Sequence, residues 1–500
     1  MSISLAAILA ESALRHPSRT AIVFEGERIA YRDLWEQARR FAAVLAAEGI
    51  RPGDRVAILM PNVPDFPRAY FAVLALGAVV VPVHSLLTPA EIAYVLHDSG
   101  ATALVSSGPL LEAAAKACEQ IGIPCLTVRC PDGVEPVETY LRRDAGDDAV
   151  IFYTSGTTGV PKGAVLTHGN LLWNVHVTAH DLVHAQSGDV FLAALPLFHC
   201  FGQVVVMDTA FLAGASIVLM ARFDGDAALA LMEREGVTFY AGVPTMHIAL
   251  VAAAERTPRK LALRVVKSGG APLPIAVLER FEAIFGVPIL EGYGLSETSP
   301  VASFNQLCFG RKAGTVGCGI WGIELRIARA EIDDRVELLP DGELGEIVIR
   351  GHNIFRGYLN KPEATAAAIV DGWFRTGDLG TRDAEGFITI VDRKKDLIIR
   401  GGFNVYPREV EEVLMRHPSV AQVAVIGVPH ETHGEEVVAV VVVRAGDFDA
   451  AAIVEWSQQH LGKHKYPRRI EPVDALPLGP SGKVLKRELR AKFSQPAGVR

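Results

Sequence analysis

The sequence predicts an α/β protein in two unequal parts. A large N-terminal domain of layered α/β subdomains carries a small β-barrel-like unit, and a small α+β C-terminal domain follows. Three observations predict this. Through residues 1–290, short β-branched runs (55–60, 149–153, 191–195, 216–220, 263–267) alternate with helical patterns (91–97, 171–180, 227–235, 275–285). Such alternation gives largely parallel sheets covered by helices. Residues 314–390 are instead Gly-rich, with short strands at 324–328, 345–350 and 387–391 and few helical runs, which reads as a small antiparallel unit. After Asp392-Arg393 comes a helix at 407–415, strands at 421–428 and 436–443, a helix at 450–461 and a strand near 469–473. That last unit has an ordinary domain size. The division is placed at residues 1–392 and 393–500.

Composition narrows the class. A chain of 500 residues is too long for one ordinary core. Half its residues are hydrophobic (50%) and 21% are charged, as in a folded protein. With 49 basic and 57 acidic residues the net charge is −8, which argues against a broad nucleic-acid surface. Small anions need only local positive charge. Cys118, Cys125, Cys130, Cys200, Cys308 and Cys318 show no CxxC spacing, so neither a disulfide framework nor a zinc site is expected. The apolar run 3–10 is broken by Glu11 and Arg15, unlike a signal peptide. The longest apolar run, 437–443, is far short of the ~20 residues of a membrane span. A cytoplasmic protein without a transmembrane segment is expected. Residues 101–148 read as surface structure without a motif.

The strongest motif is Tyr153-Thr154-Ser155-Gly156-Thr157-Thr158-Gly159-Val160-Pro161-Lys162-Gly163, placed between a predicted strand and a predicted helix. Glycines allow sharp turns that present backbone N–H groups as a nest for phosphate oxygens. The hydroxyls add donors and Lys162 adds positive charge, which suits the phosphates of a nucleotide. A Walker A loop would end in Gly-Lys-Ser/Thr, whereas Gly163 and Ala164 follow Lys162 here.

Residues 154–163 resemble the phosphate loop of the adenylate-forming superfamily, in particular its acyl-CoA synthetase (fatty-acid–CoA ligase) branch. The resemblance continues in family order through Pro196-Leu197-Phe198-His199, Gly269-Gly270-Ala271-Pro272 and Gly292-Tyr293-Gly294-Leu295-Ser296-Glu297-Thr298. It goes on through Trp373-Phe374-Arg375-Thr376-Gly377-Asp378, Asp392-Arg393-Lys394-Lys395-Asp396 and Pro480-Ser481-Gly482-Lys483. It covers essentially the whole chain.

The resemblance implies that a carboxylate attacks the α-phosphate of ATP to give acyl-AMP and pyrophosphate, and that a thiol then takes the acyl group. It assigns ATP and AMP binding to Thr154, Ser155, Gly156, Thr157, Thr158, Gly159, Lys162, Gly270, Ala271, Pro272, Glu291, Gly292, Tyr293, Gly294, Ser296, Asp378 and Arg393. Within that set Tyr293 stacks on adenine, Ser296 donates to the α-phosphate, Asp378 accepts from the ribose diol, and Arg393 is a second ribose or phosphate contact. Glu297 is the ligand of Mg2+, a hard ion that prefers carboxylate and phosphate oxygens. Lys483 is the adenylation lysine, a compact charge on a long arm. It lies in the small domain, which the resemblance makes mobile about Lys395. Rotation there brings Gly401, Gly402 and Phe403 to the site as the coenzyme A channel. His199 holds the acid or gates its tunnel. Cys200 beside it lacks the third member that a nucleophile needs.

The acid is placed near Phe198, Phe201, Val204, Met207, Val243, Met246 and Gly269. These positions are apolar. Malonate-activating relatives carry an Arg where this chain has Gly292, so a second carboxylate would lack a partner. A medium- to long-chain fatty acid is expected first and a cinnamate-type aromatic acid second. Free coenzyme A is the expected acceptor, with a carrier protein as the alternative. A luciferase-like oxygenase and a non-catalytic binding protein are the remaining readings. Oligomeric state is open between a monomer and a homodimer.

Overall fold

The computed structural model describes residues 3–154, 161–444, 448–479 and 484–494. Among these residues the strands form four sheets. The first is nine-stranded, in the order Cys318–Gly319, Val301–Phe304, Ile289–Gly294, Val265–Ser268, Phe239–Gly242, Val190–Ala193, Ser216–Leu219, Thr20–Phe24 and Glu27–Ala30. Its interior pairs are parallel and its two edges antiparallel. The second is seven-stranded: Gly357–Tyr358, Lys162–Thr167, Asp148–Thr154, Val79–Pro82, Arg55–Leu59, Ala101–Ser106 and Cys125–Leu126. It is parallel beyond the first three strands.

One core joins these two sheets. The helix Asp65–Ala75 buries nearly every side chain, including Phe66, Tyr70, Phe71 and Leu74. A helix that is apolar all round must be covered on all sides, and this one shares a core with Ile58 and Val80 of one sheet and Phe191 and Ile22 of the other. The third sheet is antiparallel: Ile323–Ala328, Gly345–Gly351 and Trp373–Arg382, the last paired also with Ile369–Val370 and Ile388–Arg393. The fourth belongs to the small C-terminal domain. It orders Phe403–Val405, Ile398–Arg400, Gly434–Val443 and Val420–His430, and Arg469–Pro472 runs parallel to Gly434–Val443. The helix Pro407–Leu414 packs on this sheet through Pro407, Val410 and Leu414, one side of a 3.6-residue period. Val277, on the helix Ile275–Phe285 of the large domain, touches the same cluster.

Two expectations are corrected. The glycine- and hydroxyl-rich loop does not lead into a helix. The strands on either side of it, Asp148–Thr154 and Lys162–Thr167, pair antiparallel with Thr154 opposite Lys162, and the helix His168–Val177 begins only after the second strand. The run Lys162–Thr167 is β-branched at two positions and buried from Gly163 on, so it serves as a strand first. Residues 101–148 are not mere surface. Ala103, Leu104 and Val105 are fully buried in a strand of the seven-stranded sheet, and the helix Leu111–Ile121 covers it through Ala114, Ala117 and Cys118.

Candidate active site

In the nine-stranded sheet the chain order reverses at Val190–Ala193, which is flanked by Ser216–Leu219 on one side and Phe239–Gly242 on the other. Ligands of parallel sheets bind outside the carboxyl ends of the strands at such a switch point. Four adjacent strands end there. Val190–Ala193 leads to Phe198 and His199, and Phe239–Gly242 leads to Val243 and Met246. Val265–Ser268 leads to Gly269, Gly270, Ala271 and Pro272, and Ile289–Gly294 carries Glu291, Gly292, Tyr293 and Gly294 into Ser296 and Glu297. Ser268 is in register with Glu291, which sets the last two segments side by side. Gly270 has φ +80°, a conformation open to glycine at little cost.

The segment after Val190–Ala193 is held by Asn62, which sequence reasoning missed. Its amide donates to the carbonyls of Ala193 (2.8 Å) and Leu195 (2.9 Å), and its Oδ1 accepts from Leu197 N–H at 2.9 Å. Beyond it, residues Phe201–Asp208 wind as a π-helical turn, a form often found at functional sites. His199 Nδ1 accepts from Phe201 N–H at 3.2 Å, which puts the proton of a neutral imidazole on Nε2. Cys200 is buried, with its Sγ 3.4 Å from Ser296 Oγ, so it packs against the nucleotide motif and offers no exposed thiol.

Asp378 and Arg393 are opposite one another on paired strands. Arg393 Nε lies 3.0 Å from Asp378 Oδ1, and Tyr293 Oη donates to Oδ2 at 2.5 Å. Burial, and then the neighbouring Asp378, push the Tyr293 phenol well above its usual range. A second chain of contacts runs from the phosphate loop. Lys162 Nζ sits 5.2 Å from the centre of the Tyr358 ring, and Tyr358 Oη donates to Glu297 Oε1 at 2.8 Å. Tyr358 ends up there because its strand, Gly357–Tyr358, pairs with Ala164 and Val165 of the hairpin. No motif in the sequence announces it. Glu291 is buried with no partner for Oε1 among the described residues, and burial raises its carboxyl to about 7.

The expected acid-binding positions separate into two groups. Phe201 lies against Gly269, where an added Cβ would come within 3.3 Å of its ring. Phe198 packs against His84 with ring centres 4.6 Å apart and ring planes tilted by 45°. Met246 and Val243 flank the start of the helix Pro244–Arg256. Val204 and Met207 are wholly buried in the main core. Lys267, two residues before the Gly269-Gly270-Ala271-Pro272 motif, has its amine inside the protein, 4.1 Å from the centre of the Phe304 ring, and it too was missed.

Gly401 and Gly402 form the turn between Ile398–Arg400 and Phe403–Val405, both with positive φ (+58° and +82°). A two-residue hairpin turn of this hand demands that conformation twice, so the pair has a local structural reason as well as a place at the expected channel. Phe403 is exposed and lies 4.9 Å from the His464 ring. Lys395 is exposed in the turn after Asp392-Arg393. Ser155, Gly156, Thr157, Thr158, Gly159 and Lys483 lie outside the described residues.

Comparison with known proteins decides the family. The model of the AMP-binding enzyme family matches residues 9–359, and that of the AMP-binding enzyme C-terminal domain matches residues 409–483. The chain belongs to the AMP-binding enzyme family. It is an acyl-CoA synthetase of the adenylate-forming superfamily, an ATP-dependent acid–CoA ligase. A feruloyl-CoA synthase of an Amycolatopsis species is 39% identical, with 95% of this chain and 96% of that protein aligned. A long-chain-fatty-acid–CoA ligase of Bacillus subtilis is 35% identical over 97% of this chain and 94% of its own length. Among solved structures, ATP-bound MatB from Rhodopseudomonas palustris superposes with a TM-score of 0.91 at 34% identity, covering 99% of both chains. The apo form of the same family member superposes with 0.80. Among the described residues, no helix is long and apolar enough to cross a membrane.

Proposed function

We propose that this family member joins a cinnamate-type aromatic acid to coenzyme A through an acyl-AMP intermediate. The observation that carries the site assignment is the meeting of Tyr293, Asp378 and Arg393 beside the ends of four parallel strands. A buried carboxylate braced from both sides suits a ribose diol. Lys162 and the hydroxyl loop are assigned the β- and γ-phosphates, Ser296 the α-phosphate, and His199 Nε2–H the substrate carboxylate. Positioning and fixed positive charge do most of the work in moving a phosphoryl or adenylyl group.

Glu297 fits a hard cation. Its Oε1 is occupied by Tyr358, and the other oxygen remains to share an ion with phosphate oxygens. Mg2+ bound there would neutralise phosphate charge. Lys483 is assigned to the carboxylate and α-phosphate, and Lys395 to the hinge between residues 1–392 and 393–500. The higher similarity to the ATP-bound than to the apo MatB form supports an adenylation-like arrangement of the two domains.

Of the two acid classes expected, the rings of Phe198 and His84 and the close approach of the Phe201 ring to Gly269 favour a planar acid, which packs at offset or edge contacts. The 39% identity to a feruloyl-CoA synthase points the same way. The test is pyrophosphate release with ATP, Mg2+ and a panel of cinnamates, benzoates and fatty acids of graded length, followed by coenzyme A consumption. Cinnamates should give the highest kcat/KM. A maximum at a long alkyl chain would replace the aromatic reading with the fatty-acid one, and transfer to a carrier protein in place of coenzyme A would reassign the acceptor.

A further inference from the structure

The small domain gathers two histidines and a glutamate away from the nucleotide motifs. Val420–His430 and Gly434–Val443 pair antiparallel, and Glu431-Thr432-His433 is the loop between them. The spacing His430-x-x-His433-x-x-Glu436 fits no single strand face, because side chains alternate along a strand. The hairpin brings the three together. Val428 stands opposite Glu436 and His430 opposite Gly434. Cross-strand partners share a face, so His430 and Glu436 lie on one side of the sheet, one step apart. Arg400 stands opposite Gly434 from the other flank and joins that face.

His433 reaches the same place from the loop. Its Nδ1 lies 3.2 Å from His430 Nδ1. One nitrogen of each histidine and one carboxylate oxygen of Glu436 all lie within 4.8 Å of one another. Two nitrogens bound to one tetrahedral zinc ion stand roughly 3.3 Å apart, so the histidines are already spaced for one. A shared proton would serve a single lone pair of the two, whereas a metal ion takes both. The Thr432 hydroxyl lies 3.3 and 3.1 Å from the two nitrogens, a further oxygen at the same spot.

Glu436 is 9% exposed and firmly oriented. Its Oε1 accepts from Arg400 Nε at 2.6 Å and from Val437 N–H at 2.9 Å, and its Oε2 accepts from the Arg400 guanidinium at 3.1 Å. Oε2 keeps a lone pair for an ion, and outer partners of this kind commonly orient ligating carboxylates. The Arg400 charge opposes a cation, which makes the site one of modest affinity. The His433 carbonyl accepts from Gly401 N–H at 2.8 Å, so the cluster abuts the Gly401–Gly402 turn.

We propose that His430, His433 and Glu436 form a binding site for a divalent transition-metal ion of the zinc class. Imidazoles suit zinc, nickel and copper, whereas magnesium takes oxygen ligands. Three protein ligands leave a fourth position for water. The site is separate from Glu297, and it stands whichever acid the enzyme activates. A bound ion would clip the loop to the sheet beside the turn assigned to coenzyme A.

The experiment titrates the untagged enzyme, stripped with a chelator and free of nucleotide, with Zn2+ alone and with Zn2+ in the presence of equimolar Mg2+. Calorimetry follows the parent, His430→Gln, His433→Gln and His176→Gln. The last variant breaks the His176–His180 pair, whose ring centres are 5.6 Å apart, as a rival site. The parent and His176→Gln should bind one Zn2+ per chain. Either loop variant should bind it at least about tenfold more weakly, and Mg2+ should not compete. X-ray absorption of the zinc-loaded parent should show two imidazoles, oxygen and no sulfur, a readout that does not depend on how the variants fold. Unchanged affinity in both loop variants, loss in His176→Gln instead, displacement by Mg2+ or sulfur ligation each overturns the inference. So does a parent that binds no zinc, which would reduce the nitrogen pair to a histidine–histidine hydrogen bond.

Discussion

Asp378 and Arg393 face one another across an antiparallel strand pair, with Arg393 Nε 3.0 Å from Asp378 Oδ1. Strand register alone sets that distance, although the two residues belong to motifs 15 positions apart in the sequence. The other oxygen of Asp378 is held by Tyr293, from a different sheet. One carboxylate thus ties the nucleotide motif of the nine-stranded sheet to the small antiparallel sheet and to the start of the C-terminal domain.

Asp378→Ala should cost both function and stability. It leaves the Tyr293 hydroxyl and the Arg393 guanidinium without their partner, a loss of about 1–3 kcal/mol. Urea unfolding should show a lowered midpoint, and pyrophosphate release should need much more ATP. An unchanged midpoint would mean that the three-residue contact contributes nothing to the fold.

Lys483→Ala should lower acyl-AMP formation by orders of magnitude and spare thioester formation from supplied acyl-AMP. Rapid-quench assays of the two half-reactions separate them. Equal loss in both would refute the adenylation role.

Lys395→Pro should do the reverse. The amides of Lys394, Asp396 and Leu397 donate to Gly377 and Arg393 carbonyls, so proline at 395 removes none of these bonds and leaves this arrangement standing. It stiffens the proposed pivot. Adenylation should persist while coenzyme A transfer falls. Normal transfer would place the hinge elsewhere.

Glu291 should give stability a pH dependence. Burial holds its folded pKa at about 7, against 4.5 for an ordinary glutamate, while the nearby Arg408 opposes the shift and Glu412 adds to it. Between these values the folded state keeps a proton that the unfolded chain has lost, so this contribution is present at low pH and lost as pH rises through 7. Glu291→Gln lacks it. From about pH 5 to about pH 8 the unfolding free energy of the variant should gain on the parent by on the order of 1–3 kcal/mol. A constant gap would show that Glu291 titrates normally.

Asn62→Ala should release the segment carrying Phe198 and His199. Three hydrogen bonds disappear; the Ala193 carbonyl keeps the N–H of Met220, but the Leu195 carbonyl and the Leu197 N–H lose this partner, at about 1–3 kcal/mol for each group left unsatisfied. The KM for the acid should rise more than that for ATP. A parallel rise in both would point to a general loosening.

The sequence by itself carried the family resemblance, much of the strand and helix order, and the residue types expected to meet nucleotide and thiol. Those features are written locally, in periodicity and in short motifs such as Gly292-Tyr293-Gly294 and Asp392-Arg393. The tertiary structure alone decided what non-local pairing controls. It paired Lys162–Thr167 with Asp148–Thr154, the strands on either side of the glycine- and hydroxyl-rich motif, a partnership that a local reading cannot see. It brought Tyr358 between Lys162 and Glu297, and Asn62 under the His199 segment, across separations of 61 and 131 to 135 residues. It also turned Lys267 inward. In sequence that lysine sits in a strand whose charge would ordinarily face solvent, and only the tertiary packing, with the Phe304 ring over it, leaves its amine inside without a partner among the described residues.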